Sequence, residues 1–386
     1  MPYNELTLPQ FFLYKLTNFK LGILIMYFFF LIALVAILPQ STFAKEVPYK
    51  LTIKEGIISI NGEAREAMTI NDSVPGPVLT FTEGDTAVIE VLNLMDKETS
   101  IHWHGLILPN FQDGVPYLTT PPIRAGKSFT YRFPLKHSGT YWYHSHTGLQ
   151  EQLGIYGSIV IKPKKEKYNY DRDVVLVLSD WTNENPNEVL RTLKRGSEWY
   201  AIKKKSAVSL YEAINTGSTK GFFNMKSMRM PGIDISDIAY DAFLINGKEE
   251  LKLEDIKPGE RLRLRIINAA ASTYFWTTFG TKETTLISAD GINVKPILVK
   301  KVLHAIAETY DYLITMPKSG SIEVKAWAQD SSGSARVIFG KGDLHPATKV
   351  EAVVYTDKLR EAENMDMSDM SDMSDMSDMS DMSDMS

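Results

Sequence analysis

The chain has 386 residues, enough for two domains with full cores, and its 44% hydrophobic and 23% charged residues are ordinary for a folded globular protein. A net charge of -5 argues against a nucleic-acid partner, which would want a basic face. With no cysteine in these residues, neither a disulfide nor a thiolate metal ligand can be formed from them.

The first 44 residues read as a leader. Lys15 and Lys20 precede an uncharged apolar run from Leu21 to Leu38, and Thr42-Phe43-Ala44 follows with a small residue at its end. That order is a secretory signal peptide with its cleavage site. An uncleaved membrane anchor is the alternative, because about 18 apolar residues can just span a bilayer. Either reading exports the rest of the chain, to the periplasm or outside the cell, and only the second gives it a membrane partner. No twin arginine is present, so general secretion is the simpler route.

Residues 45–164 form short apolar-alternating runs broken by Gly, Pro and Asn. Leu51 to Ile60, Val78 to Phe81, Ala87 to Asn93, Ser128 to Phe133, Thr140 to His144 and Ser158 to Ile161 read as strands, separated by turns such as Val74-Pro75-Gly76-Pro77. Many short strands with regular punctuation predict an all-β sandwich or barrel. Lys162 to Lys167, with Pro163, is a charged link. A second β-rich domain is expected over 168–356, with strands at Asp173 to Leu178, Ala242 to Ile245, Arg261 to Asn268, Thr284 to Ser288, Val294 to Val302, Tyr312 to Met316, Ile322 to Trp327 and Ala335 to Phe339. There Leu262, Leu264 and Ile266 alternate with Arg261, Arg263 and Arg265, which predicts one packed and one solvated face. An insertion over about 183–237 opens with Asn185 as N-cap and Pro186 at the first helical position, so one or two short helices are expected. Residues 357–386 read as a disordered tail, dominated from Asp366 by seven Asp-Met-Ser triplets with no apolar bulk to bury.

The chemistry is carried by two His-x-His motifs, His102-Trp103-His104 and His144-Ser145-His146. Residues two apart share a face of a strand, so each motif aims two imidazoles the same way. Two such strands side by side bring four imidazoles into one space, which suits a metal. Imidazole serves copper, zinc, iron and nickel alike, so residue type alone does not choose among them. The chain has 7 histidines. His137, His304 and His345 stand alone and read as surface or ordinary packing.

The run His102-Trp103-His104-Gly105, Gln112-Asp113-Gly114-Val115-Pro116 and Gly139-Thr140-Tyr141-Trp142-Tyr143-His144-Ser145-His146 closely resembles the first domain of multicopper oxidases. Asp180-Trp181-Thr182-Asn183, Tyr240 through Gly247, Ala289-Asp290-Gly291 and Ala307 through Asp311 are similar to their bacterial copper-resistance branch. The resemblance implies two consecutive cupredoxin-like Greek-key β-sandwiches. It implies that His102 ligates a type 2 copper and that His104, His144 and His146 ligate a type 3 pair. Asp113 matches an acidic residue that relays protons to oxygen; its bland reading is a turn former with Gly114. Met225, Met228 and Met230 in the insertion, and tail residues such as Met367 and Met370, are candidate soft ligands for Cu(I), against apolar packing for the first group and repeat slippage for the tail.

The family's third domain supplies the remaining cluster ligands and a cysteine-ligated blue copper that receives electrons. Neither that cysteine nor a further paired-histidine motif occurs here. The expectation is half of a trinuclear cluster, on a chain truncated within its repeat. The leading function is a copper-resistance oxidase of a phenolic substrate or Cu(I), reducing oxygen to water, with the isolated chain inactive. The alternative is a non-catalytic copper-sequestering protein. Expected partners are copper ions, then oxygen and a small reductant once a third cupredoxin domain completes the site.

Overall fold

A computed structural model describes residues 44–60, 62–227, 235–281 and 283–363. The leader, Met228, Met230, Met367 and Met370 lie outside the described residues. The strands and the site belong to the compact unit that begins at Lys45.

Eight strands come first: β1 (Glu46–Ile60), β2 (Glu63–Ile70), β3 (Leu79–Thr82), β4 (Thr86–Asn93), β5 (His102–His104), β6 (Ser128–Pro134), β7 (Gly139–His144) and β8 (Tyr156–Lys162). They form two four-stranded sheets, ordered β2-β1-β4-β6 and β3-β8-β7-β5. The alternation in the sequence decides which face goes inward. Ala87, Ile89 and Val91 of β4 are fully buried and pack with Leu51, Ile53, Tyr131 and Phe133. Fully burying an aliphatic side chain of this size contributes about 1.5–3 kcal/mol.

Twelve strands follow: β9 (Arg172–Trp181), β10 (Ala242–Ile245), β11 (Glu250–Leu253), β12 (Arg261–Asn268), β13 (Phe275–Phe279), β14 (Thr284–Ala289), β15 (Ile292–Val299), β16 (Lys301–His304), β17 (Thr309–Thr315), β18 (Ser321–Ala328), β19 (Ser334–Phe339) and β20 (Leu344–His345). One sheet runs β10-β9-β12-β17-β14-β15 and the other β11-β19-β18-β13-β16, with β20 paired to β18. Leu262, Leu264 and Ile266 close the core between them with Phe275, Val324, Val337 and Phe339.

Four sequence expectations are corrected. The arginine face of β12 is not solvated: Arg263 and Arg265 are buried, because the face they occupy meets the first pair of sheets and supplies them with Asp311, Asp173 and Glu166. The single strand expected over Val294 to Val302 divides at Lys300 into β15, which pairs with β14, and β16, which pairs with β13 in the other sheet. The insertion holds four helices among the described residues, α1 (Pro186–Lys194), α2 (Trp199–Lys204), α3 (Leu210–Asn215) and α4 (Thr219–Ser227), too short to show a long helical period. Local caps start two of them. Asn185 Oδ1 accepts from the Asn187 N–H at 2.9 Å, and Ser209 and Glu212 form a reciprocal capping box. Finally, residues 357–362, assigned to the tail, belong to helix α5 (Tyr355–Ala362), whose Leu359 is buried against Ala213 and Met225.

Strand β7 carries the fold's consequence for the site. All six of its residues are buried. Tyr141 and Tyr143 enter the first core, while Thr140 and Trp142 face the second pair of sheets. Its last residue, His144, leads into the loop that carries His146.

Candidate metal centre

The histidines are brought together by one antiparallel pairing. Strand β5 pairs with β7 so that His102 lies opposite His144, Trp103 opposite Tyr143 and His104 opposite Trp142. Trp103 points inward, wholly buried against Tyr131, Phe133 and Tyr143, which forces both flanking imidazoles to the opposite face. There His104 Nδ1 lies 3.2 Å from His144 Nε2, and ligand atoms of His102, His104 and His144 all fall within 4.8 Å of one another. His146, just past the strand, places its ring 4.6 Å from that of His102 and 4.9 Å from that of His144. All four expected ligands therefore converge.

Each ring is held from behind. The Asp113 carbonyl lies 2.8 Å from His102 Nδ1 and accepts its proton, and the Asp113 carboxylate is 3.4 Å from the same nitrogen. Gly114 makes this approach possible: its φ is +83°, and a Cβ there would collide with the Ile101 carbonyl. Trp142 stacks on His104 at 4.9 Å and on His144 at 4.1 Å between ring centroids. His144 Nδ1 faces Glu151 Oε2 at 3.0 Å and the Ser145 carbonyl at 3.2 Å.

The loop carrying His146 is pinned by buried Gln150. Its Oε1 accepts from Thr99 at 2.6 Å and from Ser145 at 3.0 Å, and its Nε2 donates to the Glu98 carbonyl at 2.8 Å. The Ser145 hydroxyl in turn accepts from the Thr147 N–H, and the Ser100 hydroxyl from the His146 N–H.

The electrostatics suit a cation. Burial, then the neighbouring imidazoles His144, His102 and His146, hold His104 down at about 4. Burial also lowers His102 and His146, against the opposing pull of Asp113 and Glu151. Neutral imidazoles at neutral pH keep their lone pairs for a metal, and borderline nitrogen donors at this spacing fit copper. The donor set therefore fits the group that the sequence resemblance implies.

The remaining residues divide. Asp113 joins the site beside His102. Met225 does not: it packs with Ala213 and Leu359 among the helices. His304 is wholly buried, with Nε2 2.8 Å from the Tyr312 hydroxyl, and burial holds it down at about 3. His345 is exposed, and His137 rests its ring edge-on against Tyr141. Sequence reasoning missed Glu151 and Gln150. Their only signal was position, a polar pair four and five residues after His146 in Gly148-Leu149-Gln150-Glu151.

Comparison with known proteins agrees with this geometry. Two family models described as multicopper oxidase match residues 52–166 and 172–328. Copper resistance protein A of Escherichia coli is 41% identical over 308 residues, 78% of this chain and 51% of that protein. A multicopper oxidase of Mycobacterium tuberculosis is 32% identical over 307 residues, 78% of this chain and 58% of its own length. Among solved structures, Fet3p, a multicopper oxidase that functions in iron import, superposes with a TM-score of 0.62 at 22% identity, covering 80% of this chain and 55% of its own. The blue copper oxidase of Nitrosomonas europaea gives 0.58 at 24% identity, covering 77% and 86%. At those identities the structural likeness speaks for a cupredoxin-like fold. The chain spans about half the length of the curated relatives it matches.

Proposed function

The chain belongs to the multicopper oxidase family, whose cofactor is copper, and from that premise we propose that it contributes the amino-terminal half of an oxygen-reducing cluster in a copper-resistance oxidase. His102 is the ligand for the type 2 copper, and His104, His144 and His146 are ligands for the type 3 pair. The observation that carries this reading is the β5–β7 register, which sets nitrogens of His102, His104 and His144 within 4.8 Å of one another. Copper held by these four imidazoles would supply one-electron chemistry between a phenolic substrate or Cu(I) and oxygen.

The protein's own residues do the rest. Trp142 fixes the ring planes of His104 and His144 and keeps water off one side. The Asp113 carbonyl holds the proton on His102 Nδ1, which leaves Nε2 as that ring's donor. The Asp113 carboxylate, partly exposed beside this ring, can pass protons inward from solvent, as the formation of water requires. The site lies on the first of two consecutive cupredoxin-like units, and the apolar leader supports export to the periplasm. Burial of Met225 favours packing for that residue, and a thioether role in Cu(I) handling stays with Met228, Met230, Met367 and Met370.

A second reading is favoured by one fact: these 386 residues contain no cysteine, so they hold no thiolate-ligated copper to receive electrons. The chain by itself then sequesters copper without turnover. Copper analysis with electron paramagnetic resonance, followed by oxygen uptake with a phenol or Cu(I), tests both readings. Histidine-dependent copper without uptake is expected of the isolated chain, and uptake is expected once a third cupredoxin domain is supplied. Uptake by the chain alone would reject sequestration and the half-cluster reading together. Copper that persists after His104→Ala and His144→Ala would remove the site assignment.

A further inference from the structure

The geometry points to Glu151 as a positioning residue for this centre: its carboxylate holds the proton of His144 on Nδ1 and so commits Nε2 to the pocket. Two acceptors face His144 Nδ1, Glu151 Oε2 at 3.0 Å and the Ser145 carbonyl at 3.2 Å. A ring nitrogen set between a carboxylate and a carbonyl carries a hydrogen, and in a neutral imidazole the other nitrogen then has only a lone pair to offer. That other nitrogen lies 3.2 Å from His104 Nδ1, inside the cluster. Trp142 lies on the face of this ring with an interplanar angle of 14° and so sets its plane.

Glu151 is itself placed by the turn that Gln150 anchors, where the Leu153 N–H donates to the Gln150 carbonyl at 3.1 Å. His102 is set the same way by a backbone acceptor, the carbonyl of Asp113. At His144 the backbone acceptor is the longer contact, and a side chain completes the job. A carboxylate behind a ligating imidazole also makes it a stronger donor. Because the Glu151 side chain is 28% exposed, it can be exchanged without opening a cavity.

A role for Glu151 at copper rests on the copper reading of the four histidines, but the proton's location can be read without metal. Nitrogen-15 labelling of the 7 histidines of the metal-free full chain reads the tautomer of each ring from its nitrogen shifts, with His144→Gln assigning the His144 signal. Wild type is expected to show His144 protonated on Nδ1. Glu151→Leu is expected to populate both tautomers, and Glu151→Gln, whose amide oxygen still accepts, to restore the single one. In copper titrations Glu151→Leu should weaken affinity about 10–100-fold, with Glu151→Gln close to wild type. A wild-type proton on Nε2, or an unchanged tautomer in Glu151→Leu, overturns the proposal. Copper that binds away from the histidines while the tautomers behave as stated would overturn the copper reading and leave this one standing.

Discussion

The two ends of strand β7 present the same face to very different surroundings. Thr140, Trp142 and His144 alternate along it. At the Thr140 end, the threonine hydroxyl donates to Asp311 at 2.6 Å and accepts from Arg265 at 2.8 Å. Arg265 also reaches both oxygens of Asp173, and Asp311 accepts from Arg263 as well. Every charge there meets an opposite charge. Four residues on, the His144 end gathers imidazoles whose inward nitrogens face one another. The carboxylates of Asp113 and Glu151 stand behind the rings, not between them, and burial keeps His102, His104 and His146 inclined to stay unprotonated. A buried polar group whose partners lie within the chain builds structure. Imidazole nitrogens that face one another, with their carboxylates behind the rings, are the arrangement on which the proposed metal site rests. Satisfaction, rather than burial or polarity, separates the scaffold from the site.

The sharpest way to break that contrast is Asp311→Ala. It removes the buried carboxylate that Arg263 and Arg265 share and leaves each with one part-exposed partner, Glu166 and Asp173, and removing one partner of a buried pair costs up to about 3–5 kcal/mol. The midpoint of urea unfolding should fall accordingly. A change below about 1 kcal/mol would mean the network is not the weld between the two pairs of sheets.

Acidification probes the other end. His104 is held at about 4 in the folded chain, below its ordinary 6.5, and His304 at about 3. Between those values and 6.5 the unfolded chain binds more protons than the folded one. The metal-free protein therefore keeps its full stability above pH 6.5 and loses it as pH falls through that window. Each histidine contributes at most about 1.4 kcal/mol per pH unit. Unfolding midpoints across pH 4–7 measure the slope, and His104→Gln should flatten it. A stability that rises on acidification would contradict the burial of these rings.

His104→Ala inverts the Asp311 result. Little stability is lost, about 1 kcal/mol or less, because no charged partner is left behind. Copper bound at the centre should fall sharply by direct metal analysis. Were stability and copper to fall together by several kcal/mol, the histidines would be scaffold after all.

The paired histidines were legible because their signal is local: spacing of two, with Trp103 between them, states which face each ring takes. The apolar alternation of β4 and β12 was legible for the same reason. What escaped the sequence depends on distant partners. Arg263 and Arg265 alternate with leucines just as a solvated face would, and only the docking of β7 against β12 and β17 turns that face inward. The register that sets His102 against His144 joins residues far apart in the chain. Glu151 carries no motif of its own, and its role arises from a loop folding back beneath a strand end. Strand β5 is three residues long, too short to show a period.

Met225 offers the finest test, since it lies between structure and chemistry. It is buried with Ala213 and Leu359 where α3, α4 and α5 meet. A packing methionine tolerates leucine, a near-isosteric exchange that usually costs less than about 1.5 kcal/mol. A thioether ligand does not, because leucine has no donor atom for Cu(I). Met225→Leu should therefore leave both the unfolding midpoint and Cu(I) binding near wild type, whereas His104→Ala leaves only the first. A Met225→Leu chain that folds normally yet binds less Cu(I) would make this helical cluster a second metal site, and would show that a thioether can sit in an apolar setting and still be functional.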